Sequence, residues 1–100
     1  MAIANFTPHT INIEGFPPIP SNGVARCEEK VIPAGTWDGI PIFRIEHGEV
    51  TGLPEPASGT MLIVSLLVKN ALPNRLDLAS PGVPIRDAEG RVIGCRGLNI

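Results

Sequence analysis

The sequence is short of several things at once. It has no tyrosine, one tryptophan and three phenylalanines, so aromatic residues make up only 4% of its 100 positions. Two cysteines, Cys27 and Cys95, exclude a disulfide scaffold and have no metal-ligand spacing. With no export signal in view, both are expected to be reduced small hydrophobes, and neither a metal nor a cofactor is expected. Long apolar runs are also missing. The longest, Met61 to Val68, is interrupted by Ser65 and falls far short of a membrane span. The opening Met1-Ala2-Ile3-Ala4-Asn5-Phe6-Thr7-Pro8 has neither a basic n-region nor an apolar h-region. No signal peptide is therefore expected, and the expected compartment is the cytoplasm. Charged residues reach only 18%, with a net charge of −2. That excludes a disordered charged tail and the basic excess of a general nucleic-acid binder.

What the chain has in plenty is punctuation. Eleven glycines and eleven prolines exclude a long helical bundle or coiled coil, because both residue types break helix interiors. Turn signals recur at Gly15, Pro17-Pro18, Ser21-Asn22-Gly23, Pro33-Ala34-Gly35, Asp38-Gly39, Gly48, Gly52, Ser58-Gly59, Pro73-Asn74, Ser80-Pro81-Gly82 and Glu89-Gly90. They leave room for strands of about four to eight residues. Thr10 to Glu14 alternates polar and apolar and reads as a half-buried strand. Gly23 to Ile32 and Ile40 to Glu46 read as strands too, with Pro41 placed near a strand start or on an edge. Asp87-Ala88-Glu89-Gly90 is a hairpin turn between Val83–Arg86 and Arg91–Cys95. Thr60 to Ser65 reads as a strand. From there Ser65 can cap a two-turn helix that ends at Pro73, with Leu67/Ala71 and Val68/Leu72 at helical spacing. The competing reading keeps Met61 to Val68 as one buried strand. The expectation is one mainly β (α+β) domain over residues 1–100. It should be a small, mostly antiparallel β domain or partial barrel with one short helix. Its small core and unpaired edge strand predict a homo-oligomer.

Few residues offer chemistry. His9 and His47 alone titrate near neutrality. His9, between the hydroxyls of Thr7 and Thr10, is a candidate ligand contact or general base, or simply a strand-start histidine. His47, flanked by Glu46 and Glu49, reads as a solvated turn. Ser65 has no Gly-x-Ser-x-Gly elbow, and no phosphate-loop or dinucleotide fingerprint is present. The arginines say more. Residues 1–50 hold three basic and six acidic side chains, whereas residues 51–100 hold five and four. Arg75 and Arg86 stand at element ends, where a rigid scaffold can aim a guanidinium at an anion. The candidate ligand-binding set is therefore His9, Ser65, Arg75, Asp77, Arg86 and Asp87. In it, His9 and Ser65 supply neutral hydrogen bonds, the helix N-terminus at Ser65 faces the anion, and the two aspartates orient the guanidiniums. The alternative for the charged members is surface ion pairing, Arg75 with Asp77 or Arg86 with Asp87. Arg91 and Arg96 read as surface ion-pair residues.

Several stretches resemble a widespread set of small, uncharacterised phage and prophage proteins. They are Thr7-Pro8-His9-Thr10-Ile11-Asn12-Ile13, Gly39-Ile40-Pro41, Gly48-Glu49-Val50-Thr51-Gly52-Leu53-Pro54-Glu55-Pro56, Ile63-Val64-Ser65 with Leu67-Val68, and Pro73-Asn74-Arg75-Leu76-Asp77-Leu78. Ser80-Pro81-Gly82 and the run from Ile85 to Leu98 belong to the same set. Glu14 to Asn22 and Glu28 to Trp37 fit the pattern less well. The resemblance implies an accessory protein working in a bacterial host's cytoplasm. By analogy with small phage proteins that sequester host immune-signalling nucleotides, the leading expectation is a non-catalytic, anti-defence binder of a small anionic ligand, a cyclic or ADP-ribose-type nucleotide. Two other classes compete with it. One is a protein–protein interaction module that inhibits a host protein or serves the phage particle, and the other is a small phosphoesterase using His9.

Overall fold

A computed structural model describes residues 2–100. In chain order the elements are β1 (Ala2–Asn5), β2 (Arg26–Trp37), β3 (Ile40–Thr51), β4 (Thr60–Ile63), α1 (Leu66–Ala71), β5 (Leu78–Pro81), β6 (Pro84–Arg86), β7 (Val92–Cys95) and β8 (Leu98–Asn99). This is the mainly β, α+β domain that the punctuation predicts, and no closed barrel forms. Antiparallel pairing dominates, in β2–β3, β5–β8 and β6–β7. The central sheet is mixed, however. Its order is β1-β4-β5-β8, and β4 pairs in parallel with both β1 and β5. Parallel neighbours require a crossover, and residues 64 to 77, with α1 among them, supply the one between β4 and β5.

The core lies where α1 meets this sheet. Ala25, Leu62, Val64, Val68 and Leu78 form its buried cluster, with Phe6, Val50, Leu53 and Leu72 packed against them. Ser65 caps α1 as the spacing predicts, its Oγ accepting from the Val68 N–H at 3.3 Å. The Val68/Leu72 stripe turns inward, while Leu66 and Leu67 stay exposed. Cys95 is buried and Cys27 half-buried, both as free thiols.

Four sequence expectations change. Strands β2 and β3 each run for 12 residues, beyond the four to eight that the turn signals predict. Thr10 to Glu14 is not a strand: it makes only isolated bridges, Ile11 with Ile19 and Ile13 with Cys95. The facing segment carries Pro17, Pro18 and Pro20, which lack the N–H groups needed to extend a ladder. Pro33-Ala34-Gly35 is not a turn but an irregularity inside β2, and Gly48 lies inside β3. His47 therefore sits in a strand opposite Glu29 rather than in a turn. The reversal falls instead at Asp38-Gly39, where both residues have positive φ (51° and 79°). That is the two-residue turn whose twist matches a right-twisted ribbon.

Among the described residues the β2–β3 ribbon is paired with no other strand. It gives the chain extents of 51 × 40 × 19 Å and a radius of gyration of 16.6 Å. A compact chain of this length has a radius of gyration of about 13 Å.

Candidate functional site

A cleft of about 710 Å³ opens beside the β1 edge of the central sheet. Ile3 of β1 and Thr60 and Met61 of β4 form one wall, Pro56 and Ala57 a second, and the 74–77 segment after α1 the third. The volume falls within the range usual for small-molecule sites, and the surfaces are mainly apolar with a few polar groups. Local structure fixes the third wall. The Arg75 N–H donates to the Leu72 carbonyl at 3.1 Å, and the Leu62 N–H donates to the Asp77 carbonyl at 2.8 Å.

Arg75 and Asp77 form the polar feature of this cleft. The Arg75 Nε donates to Asp77 Oδ1 at 3.0 Å and its Nη2 to Oδ2 at 2.6 Å, a bidentate fork. The same Nη2 reaches the Pro54 carbonyl at 3.2 Å. Both side chains are largely shielded, with exposures of 20% and 15%. The hydrogen bond from Arg75 holds the Asp77 carboxyl below its ordinary range, and the same bond raises Arg75. Both groups thus stay charged across the neutral range. They suit fixed recognition rather than proton transfer. Nη1 of Arg75 has no hydrogen-bond partner among the described residues.

The other candidates lie elsewhere. His9 lines a separate cleft of about 330 Å³ with Asn12, Ile93 and Cys95. Ser65 lines neither cleft, and its hydroxyl serves the helix cap. Arg86 and Asp87 do not line them either. Arg86 Nη1 donates to the Gly90 carbonyl at 2.8 Å and so ties down its own hairpin. Asp87 does not pair with Arg86. Its Oδ1 accepts from the N–H groups of Glu89 and Arg91, and its Oδ2 accepts from the Arg91 Nε at 3.2 Å. The backbone hydrogen bond from Arg91 is the largest cause holding the Asp87 carboxyl low. Arg91 also pairs with Glu89, which makes it a surface ion-pair residue as the sequence reading has it. The structure therefore brings together Arg75 and Asp77 and keeps the other candidates apart from them. Among the described residues no group of three or more His, Cys, Asp or Glu side chains could hold a metal ion. No described helix is long and apolar enough to cross a membrane.

Sequence reasoning missed the apolar walls, Ile3, Pro56 and Met61, because single apolar residues in separate segments carry no local signal. It also missed Asn5, which is fully buried. The Asn5 Nδ2 donates to the carbonyls of His9 (2.8 Å) and Ile19 (3.0 Å), and its Oδ1 accepts from the N–H and hydroxyl of Thr7. The polar end of an otherwise apolar Ala2-Ile3-Ala4-Asn5 run was its only trace in the sequence.

Comparison of the chain with protein-family models, curated proteins and solved structures gives no match.

Proposed function

We propose that this chain binds a small ligand in the Arg75–Asp77 cleft and releases it unchanged, acting by sequestration. The observation that carries this reading is the cleft itself: apolar walls that end at a shielded, bidentate ion pair with one guanidinium nitrogen still unengaged. Ile3, Pro56 and Met61 suit the flat body of a base or ring. Arg75 Nη1, Asn74 and the Thr60 hydroxyl suit an anionic or carbonyl acceptor at one end. Asp77 offsets the charge of Arg75, which favours a ligand with one localised anionic group over a densely charged polyanion. A cyclic nucleotide, with one charge on each phosphodiester, meets that description, and an ADP-ribose-type nucleotide meets it with one phosphate of its diphosphate at Arg75. The resemblance to phage accessory proteins supplies the context, an anti-defence role in a bacterial host. Non-catalytic action is supported by a polar pair that stays ionised and by the separation of His9 from it.

Incubation with labelled cyclic and ADP-ribose-type nucleotides, followed by separation and recovery of the label, tests the reading. Retention with intact release is expected. Replacing Arg75 by Ala should weaken retention by about tenfold or more, the scale of losing a hydrogen bond to a charged partner. Arg91→Ala should leave retention unchanged. An altered product, or equal retention by both variants, contradicts the proposal.

A further inference from the structure

The β2–β3 ribbon has no role in the Arg75 cleft, yet it carries the most unusual surface of the molecule. Val31, Trp37, Ile40, Ile42, Phe43 and Ile45 are all at least 42% exposed. The register places Val31 opposite Ile45 and Pro33 opposite Phe43 on one face, and Ile32 opposite Arg44 on the other, the face that Ile42 shares. Both faces are thus apolar over the outer half, where Asp38 in the turn is the only charge between Val31 and Phe43. A two-stranded ribbon in water is marginal by itself, and a third or fourth strand is the usual remedy.

Its two edges are not equivalent. The β2 edge is blunted by Pro33, which lacks an N–H, and by the irregularity between Pro33 and Thr36. The β3 edge runs without a prolyl residue or register shift from Phe43 to His47, and no other described strand covers it. Such an edge is a template for an added strand.

The charge pattern says which strand. Arg44 and Glu46 lie on one face of β3 and form an exposed ion pair at 3.1 Å. If β3 meets β3 of a second copy antiparallel about Ile45, Arg44 of each copy falls opposite Glu46 of the other. The pairs then close into an alternating array, with Ile45 meeting itself on the opposite face. Centring the dyad on Arg44 instead sets two guanidiniums face to face. The self-complementary register is therefore the one about Ile45, and a two-fold interface is the closed way to satisfy it. The geometry points to a homodimer built by β3–β3 addition, a continuous β2-β3-β3-β2 sheet that joins two cleft-bearing bodies.

Charge exchange tests this directly. The Arg44→Glu variant places acidic residues at both 44 and 46, and the Glu46→Arg variant places basic ones there. Sedimentation equilibrium should show a dimer for the parent chain and dimerisation weakened roughly tenfold for each variant alone, since like charges directly opposite destabilise paired strands. Mixing the two variants should restore a dimer containing one of each, and the double exchange Arg44→Glu/Glu46→Arg should restore self-association. Circular dichroism of each variant, matching that of the parent, guards against misfolding, and the mixed dimer gives a second guard because only folded chains form it. A monomeric parent at micromolar to hundred-micromolar concentration overturns the inference. So does dimerisation that ignores both exchanges, which would put the contact elsewhere.

Discussion

The body and the ribbon of this protein solve the same problem with opposite success. In the body, β4 and β5 are each paired on two sides, and Leu62, Ile63, Leu78 and Ala79 are 2% exposed or less. In the ribbon, strands three times as long, 12 residues against 4, bury no side chain apart from partial cover on Cys27, Ile32 and Val50. Strand length is thus no measure of strand stability. Burial comes from layering against another element, and only the base of the ribbon reaches α1 and the core. The body lines a cleft with layered strands, and the ribbon leaves apolar side chains on both faces exposed.

The largest effect is expected in the core. Replacing Leu62 by Ala should cost about 2–5 kcal/mol of stability in chemical denaturation, the range for a truncated buried leucine. Replacing Phe43 by Ala, measured at a concentration where the chain is monomeric, should change stability by less than about 0.5 kcal/mol. A large effect at Phe43 under those conditions would mean that the ribbon is layered against the body in solution.

The next effect is polar. Asn5→Ala removes partners from the carbonyls of His9 and Ile19 and from the Thr7 N–H. It should cost about 2–4 kcal/mol, since each orphaned buried group loses about 1–3 kcal/mol and some regain water. A neutral outcome would show that the 5–22 region is held by something other than this side chain.

Smaller still, and diagnostic through pH, is Asp77→Asn. The carboxyl of Asp77 is held low in the folded chain by Arg75. Its stabilisation is therefore complete above the ordinary aspartate pKa, near 4, and is lost as pH falls through the lower folded value. At pH 7 the variant should be less stable than the parent by about 1–2 kcal/mol. The gap should narrow as the pH drops below about 4. A gap independent of pH would locate the effect in packing rather than in the ion pair.

Much of this fold was legible because its signals were local. The Asp87–Gly90 turn and the Ser65 cap depend on residues within four positions of each other, and both appear as the sequence predicts. The parallel pairing of β1 with β4 was not legible, because it joins Ala2 to Thr60 and no local pattern records such a partner. Thr10–Glu14 alternates like a strand, but a strand also needs a neighbour able to donate, and prolines stand there instead. The site was half legible. Arg75 and Asp77, two residues apart on a segment fixed at both ends, could be paired by inspection. Arg86 and Asp87 are adjacent, yet the turn swings the Asp87 carboxylate onto Arg91. The cleft walls come from three distant segments and could be assembled only in three dimensions.

Amide hydrogen exchange, followed residue by residue at two protein concentrations, tests the division between body and ribbon most directly. Slow, concentration-independent exchange is expected for the amides of Leu62 and Val64. For Ile42 to His47 the expected result is fast exchange in the dilute chain and clear protection at high concentration, as a β3–β3 pairing forms. Protection of Ile42 to His47 that is equal at both concentrations would contradict it, as would fast exchange there at both.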